Sequence, residues 1–484
     1  MTESIYRISE ADIAGILSEL ILVGAGVLVL LFDGFVRRGS RWAIPTSVLA
    51  VAAAGYFRWE FSTRRESFGG LLESSAVTSG VGLIILLATV LALLASAGYL
   101  QRQKLRPAEY AALILWAAAG LLLMVRATEL LTLFLALELL SVCLYALAAY
   151  HRRLTVSLEA GIKYFLMGAF VSSFILLGIA LLYGATGSTD LGRIGAAVAG
   201  EGLSAIGTLG VLFLVCGFGF KMSLAPFHAW APDVYQGAPT PFVAFLSVAP
   251  KAGSAIVLIR LLEVLSSTDI AGRWPEVIAA LALLSMVVGN ALALAQRDIK
   301  RMLAYSGIAH MGYLLVPLVG FDRAGYEAVI VYLLAYALMN AGAFIVVSLL
   351  YERAGEQHLI SDLGGWGYRF PLLSISLTVC LLSLGGIPPT LGFIGKYLVF
   401  VYALEHGHLF LALAVVITSL LGVFYYLRVV YTLYMRPEIR DPRDLHLDLW
   451  GQLAAVLAAV GILVLGIWPG RLLFWVYDAV HTAF

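Results

Sequence analysis

Residues 205–262 read AIGTLGVLFLVCGFGFKMSLAPFHAWAPDVYQGAPTPFVAFLSVAPKAGSAIVLIRLL. Two apolar runs, 205–225 and 240–262, flank a segment that holds Pro226, Pro232 and Pro239. Each run has about the 20 residues that a helix needs to cross the hydrocarbon of a bilayer. Proline has no backbone N–H and clashes with the preceding turn, so the first run is predicted to break at Pro226. Lys221 stands five residues before that break, and Lys251 midway along the second run. A lysine at the centre of a membrane helix costs about 2.5–3.5 kcal/mol on insertion scales. The stretch therefore reads as membrane helix, interrupted, with charge placed where charge is expensive.

The rest of the 484 residues agree with this reading. Hydrophobic residues make up 61% and charged residues only 13%, against about 25% charged in soluble domains. Such a chain cannot cover its core with solvated side chains, which excludes a soluble enzyme, a disordered protein and a nucleic-acid binder. The formal net charge of +1 implies no polyanionic or polycationic partner. Cys143, Cys216 and Cys380 are far apart, form no CxxC spacing and lie in apolar runs, where a buried structural thiol is expected.

Apolar runs long enough to span occur at 13–32, 42–57, 77–99, 108–125, 129–149, 160–183, 205–225, 240–262, 275–294, 299–319, 325–350, 371–400, 409–434 and 450–474. The expected class is thus an all-α polytopic membrane protein of about fourteen helices. The short second run leaves thirteen open. The seventh and twelfth are broken, the latter at Gly385-Gly386-Ile387-Pro388-Pro389. The longest polar loops are 58–76, 184–204 and 351–370. The first twelve residues hold Glu3, Glu10 and Asp12 against Arg7, so the first run reads as a permanent helix rather than a cleaved signal. Loops after odd-numbered runs carry 16 Lys/Arg, and the termini with the remaining loops carry 9. The positive-inside rule then places both termini on the non-cytoplasmic side.

An internal repeat is also legible. AGIKYFLMGAF (160–170) resembles AYALMNAGAF (335–344) at an offset of 172, which sets Glu138 opposite His310. VLIRLLEVL (257–265) resembles YYLRVVYTL (425–433) at an offset of 168, pairing Arg260 with Arg428. Two five-helix units are expected, 108–262 and 275–434, flanked by 1–107 and 450–484. An odd number of spans per unit requires that the two lie inverted in the membrane.

Lys300, Arg301 and Arg471 stand at run ends and count with the loops, which leaves six of the 31 basic residues inside the runs: Lys163, Lys221, Lys251, Arg260, Lys396 and Arg428. The two arginines lie near run ends and read as interfacial anchors. The four lysines, with Glu138 in LALELLSVCLYAL and with His310, read as a lateral proton path along the midplane; His228 is a further candidate. Structural ion pairs are the alternative, but five basic groups and one acid do not neutralise pairwise. Lys221 and Lys396 flank the helix breaks, where freed carbonyls could hold water and receive a lysine. No Walker A loop, GxGxxG, CxxC cluster or HExxH occurs. Energy for ion movement must then come from a gradient or from partner subunits.

GFGFKMSLAPFHAWAPDVYQGAPTPFVAFLSVAPKAG (217–253), LALELL, AGIKYFLMGAF, AYSGIAHMGY and LGGIPPTLGFIGKY resemble the antiporter-like subunits of respiratory complex I, NADH–quinone oxidoreductase. The wording PFHAWAPDVYQGAPTP is similar to the N-type, the counterpart of mitochondrial subunit 2. The resemblance covers roughly 80–480. It implies a fourteen-helix subunit with two inverted five-helix repeats and helices 7 and 12 broken, and proton pumping coupled to quinone reduction elsewhere. Carried over, Glu138 pairs with Lys221, Lys251 is central, and Lys396 exchanges with one side of the membrane. Lys163 matches a family lysine, and His310 stands between the half-channels.

The resemblance further implies no cofactor in this chain, with flavin, iron–sulfur clusters and quinone in partner subunits. The partners would be a neighbouring antiporter-like subunit, the small K- and J-type subunits and the lipid bilayer, with no nucleic acid, in a bacterial inner membrane. A subunit of a multi-subunit cation/proton antiporter or membrane-bound hydrogenase, the ferredoxin-driven photosynthetic relative, and a purely structural spacer are the rival readings. Segment 58–76, with Arg64-Arg65-Glu66, matches no pattern.

Overall fold

A computed structural model describes residues 8–35, 40–62, 65–266, 274–351, 358–438 and 448–483. The N-terminal part contains α1 (Glu10–Gly15), α2 (Leu17–Phe35) and α3 (Ser40–Glu60). A hairpin of β1 (Arg65–Ser67) and β2 (Leu72–Ser74) leads into α4 (Ala76–Arg102). The first repeat unit follows as α5 (Pro107–Arg126), α6 (Leu130–Ala148), α7 (Thr155–Thr186), α8 (Leu191–Glu201), α9 (Ala205–Met222), α10 (Trp230–Gly237), α11 (Thr240–Leu246) and α12 (Ala249–Ser266). The second consists of α13 (Trp274–Ala295), α14 (Ile299–Leu315), α15 (Arg323–Leu350), α16 (Trp366–Arg369), α17 (Pro371–Gly385), α18 (Leu391–Glu405) and α19 (Leu409–Met435). The chain closes with α20 (Leu449–Ile467) and α21 (Gly470–Ala483).

Among the described residues, eleven helices are long and apolar enough to cross a membrane. The other candidate runs fold as helix but miss that standard for visible reasons. Helix α3 holds Pro45 and Arg58, α14 has only 17 residues, and the twelfth run is divided into α17 and α18. The run taken as 450–474 ends earlier, at Ile467, because Pro469 cannot continue the ladder. Residues 470–483 instead form α21, which packs across α4 and α15. Loop 184–204 contains α8, and 58–76 contains the hairpin; Arg64 lies outside the described residues.

Local chemistry sets these boundaries. Side chains of Ser75, Asp190, Ser204, Asp298, Asp322 and Asp448 accept from backbone N–H groups at the starts of α4, α8, α9, α14, α15 and α20. Each such cap contributes about 1 kcal/mol. Helix α17 ends with Gly386 at φ +80°, a left-handed conformation that glycine adopts without a Cβ penalty.

The two units repeat in packing as well as in sequence. Helix α5 lies on α6 as α13 lies on α14, α7 on α9 as α15 on α17, and α12 on α5 as α19 on α13. A short backbone bridge fastens each unit. Leu130 N donates to Thr189 O and Leu191 N to Thr128 O; Ile299 N donates to His358 O and Ile360 N to Arg297 O. All four positions are related by an offset of 169. Helices α6 and α14 run on unbroken from there, so Ser141, and not Glu138, falls opposite His310.

Five crossings per unit put the two bridges on opposite faces of the membrane. The face that holds α1, the hairpin, the end of α5 and α21 is called the terminal face below. Arg260 and Arg428 have a role that the sequence reading missed. Arg260 donates to Ala127 O at 2.6 Å, just past α5. Arg428 donates to Leu294 O at 3.1 Å and Gln296 O at 2.7 Å, at the end of α13. Instead of anchoring at the interface, both cap the orphan carbonyls of the equivalent helix.

Candidate functional site

The segment Thr240–Val264 is buried all along its length and α15 nearly so, which places α12 and α15 at the centre of the bundle. Lys251, 1% exposed, projects from α12 toward the second unit. It donates to the Tyr336 hydroxyl at 3.2 Å and to Gly307 O at 3.4 Å, and lies over the rings of Tyr336 and Tyr235. The Tyr336 ring lies 5.5 Å from the His310 ring. His310, 1% exposed, reaches the Tyr332 hydroxyl through Nδ1 at 2.7 Å and the Tyr426 hydroxyl through Nε2 at 3.2 Å. Tyr426 in turn bonds Ser306. Tyr313 meets His310 edge-on and carries the Lys396 ammonium 5.0 Å above its ring. Asn290 links the Tyr313 and Tyr425 hydroxyls at 3.0 and 3.1 Å.

Lys396 donates to Gly385 O at 3.3 Å, a carbonyl that the break between α17 and α18 leaves free. Lys221 occupies the last turn of α9, before the other break, and donates to Ser141 Oγ at 2.8 Å. Both ammonium groups thus stand at the carbonyl end of a half-helix, where the backbone dipoles favour positive charge. The two lysines are on opposite sides of their breaks, so they are not equivalent by the repeat. From Lys221 an aromatic chain runs through Tyr145, Tyr164, Trp230 and Tyr235 to Lys251.

Two expectations change. Glu138 and Lys221 do not form a direct ion pair. Glu138 is half-buried and accepts from Ser172 Oγ at 2.6 Å, while Ser141, one turn further along α6, takes the lysine. Lys163 stays outside the buried line. Its side chain is 43% exposed and pairs with Glu159 and Asp233, each at 2.8 Å; Asp233 also holds Arg301 at 2.8 Å. His228 is half-buried in the loop between α9 and α10, and its Nδ1 is buried without a hydrogen-bond partner among the described residues.

Lys163 instead lines a cavity of about 320 Å³ on the face opposite the terminal face, with Asp233, Lys300, His151 and Thr240. Lys300, which the sequence reading counted with the loops, is 2% exposed and caps α10 by donating to Gln236 O and Ala238 O. The residues missed by sequence reasoning are mainly tyrosines. Their signal was Tyr332 and Tyr336 one helical turn apart, and Tyr425-Tyr426, in runs otherwise apolar.

Among the described residues, none of Lys221, Lys251 and Lys396 has a carboxylate within ion-pair distance. Around them hydroxyls, one imidazole and carbonyls form a row through an apolar interior. Hydroxyls both donate and accept, but Tyr336, His310, Tyr313 and Lys396 meet through ring contacts, so passage of a proton along the row requires water between the polar atoms.

The comparisons with known proteins give the family. The family model described as NADH:quinone oxidoreductase/Mrp antiporter, TM, matches residues 127–422. NADH-quinone oxidoreductase subunit N of Trichlorobacter lovleyi is 40% identical, covering 96% of each chain. That of Salinibacter ruber is 40% identical over 96% of this chain and 94% of its own. A chain of respiratory complex I from Thermus thermophilus with bound aureothin is 34% identical, covers 94% of this chain and 98% of its own, and superposes with a TM-score of 0.79. A chain of the archaeal membrane-bound sulfane sulfur reductase shares the fold at 23% identity and a TM-score of 0.85, covering 97% of both chains. A full-length match at this identity, on a bundle with two broken helices and buried lysines, places the chain in the NADH-quinone oxidoreductase subunit N family of antiporter-like membrane proteins.

Proposed function

We propose that this chain carries protons across the membrane along Lys221, Lys251, His310 and Lys396, driven by quinone reduction in partner subunits of NADH–quinone oxidoreductase. The observation that carries the reading is the row Lys251–Tyr336–His310–Tyr313–Lys396, which joins the two repeat units through the core. A scaffold needs no unpaired lysines there, since each costs several kcal/mol when charged. In a pump that cost is useful: a second charge arriving in the row makes the first harder to hold, so the proton moves on. Glu138, which accepts from Ser172, is the acid that sets the charge at the Lys221 end. Lys163 acts at the polar cavity rather than within the row, and His228 is a secondary candidate at the break.

The units 108–262 and 275–434 would be the two half-channels, with 1–107 and 450–484 as flanking helices. The apolar face around Glu138, with Leu135, Leu139 and Val142 exposed, would be covered by a neighbouring antiporter-like subunit, with the K- and J-type subunits beyond. The chain would bind no cofactor of its own and would lie in a bacterial inner membrane with the terminal face outward. The test is Lys251→Met in the assembled complex, with NADH-driven acidification of sealed inside-out vesicles measured beside NADH oxidation. Loss of acidification per electron at normal assembly supports the path. Unchanged acidification overturns it, and failure only in assembly supports the spacer.

A further inference from the structure

Helix α18 carries Lys396 and, six residues on, about 9 Å along the axis, Tyr402. Lys396, Val399 and Tyr402 share its buried side. Helix α15 carries a parallel row: Tyr336 at Lys251, Tyr332 at His310, then Tyr326, and Asp322 as its N-cap on the terminal face. Both rows converge on one group. Asp322 Oδ2 accepts from the Tyr402 hydroxyl at 3.2 Å and from His406 Nε2 at 2.7 Å, while Oδ1 accepts from Gly325 N at 2.8 Å. The His406 ring stacks on Tyr402 at 4.0 Å, and its Nδ1 faces Tyr402 O at 2.9 Å. Asp322 and His406 are 35% and 32% exposed, so water reaches them from the terminal face.

Nε2 of His406 faces a carboxylate oxygen and Nδ1 a backbone carbonyl, and both partners can accept. A hydrogen on either ring nitrogen therefore finds an acceptor, and the ring can gain or lose one without losing its place, one step from water. A purely structural cap of α15 needs only the Gly325 bond.

We infer that Asp322 and His406 form a proton-holding pair at the terminal face, through which the buried row exchanges protons with the aqueous phase. This rests on the proposed proton path. Lys396 hands its proton along Tyr402 to the pair, and the pair releases it to water. Glu405 and His408 flank the pair on the chain, and Arg323, Tyr326 and Glu327 lie beside it on α15. His481 of α21 meets Glu327 at 3.4 Å, and Glu263 of α12 acts on Tyr326. These groups set its local charge.

The test uses the whole complex in sealed inside-out vesicles, with luminal pH varied across the histidine range. Asp322→Asn and His406→Gln keep hydrogen bonding and remove the titration. Expected are a several-fold slower acidification at normal assembly and loss of the luminal pH dependence that the unaltered complex shows. Wild-type acidification and pH profile in both variants overturn the inference, and so does a flat profile in the unaltered complex. Lys396→Met separates the two readings. If it stops acidification while both pair variants pump normally, the path stands and the release site falls; if it changes nothing, the path itself falls.

Discussion

Removing one oxygen from Tyr336 gives the sharpest test of the central row. In Tyr336→Phe the ring remains packed beside His310, but Lys251 keeps only the Gly307 carbonyl at 3.4 Å, a long and weak acceptor. A hydrogen bond to a charged group contributes about 1.5–3 kcal/mol. Every ~1.4 kcal/mol changes an equilibrium ratio tenfold, so the ratio of charged to neutral Lys251 should fall by about 10- to 100-fold. If proton transfer passes through that form, acidification of sealed vesicles should slow by a comparable factor wherever this step limits. Tyr235→Phe is the matched control: its ring also lies under Lys251, but its hydroxyl has no hydrogen-bond partner. It should pump near the normal rate. Equal rates and equal protons per electron for Tyr336→Phe and the unaltered complex would refute the reasoning, as would equal losses in both variants.

Further outcomes follow from the caps and the polar cavity. Arg428→Met strips the end of α13 of two charge-assisted bonds, and at about 1.5–3 kcal/mol each should lower the thermal midpoint of the purified complex; Arg260→Met, with one, should lower it less. Burial holds the His151 imidazole, in the loop between α6 and α7, below its ordinary range. The unfolded chain therefore takes up more protons at this site, and stability should fall as pH drops below about 6.5. His151→Asn should reduce that loss, read as the midpoint against pH.

Legibility differed between elements for physical reasons. Hydropathy is a local property, so the helices and both breaks stood in the sequence at nearly their final limits. The last span was overextended because 468–474 is apolar enough to continue, and only Pro469 and the docking of α21 on α4 and α15 turn it aside. The hairpin at 65–74 had no pattern because its partners are distant: Thr128 N donates to Leu71 O, and Asp12 accepts from Phe68 N. Arg260 and Arg428 were paired correctly by the repeat but given the wrong task, since a capping role depends on which helix end lies opposite.

The sequence by itself determined that this is a membrane chain of two repeated units, with broken helices and lysines that insertion alone would disfavour. Composition and period decide those matters residue by residue. Only the tertiary structure decided what each lysine faces. Lys163 and Lys251 carry the same side chain in similar apolar runs, yet one meets Asp233 and Glu159 at a wet surface and the other a tyrosine hydroxyl and a backbone carbonyl in the core. Glu159 lies one turn away on the helix of Lys163, but Asp233, Gly307 and Tyr336 come from elements 56 to 85 residues distant, and a linear pattern holds no record of those neighbours.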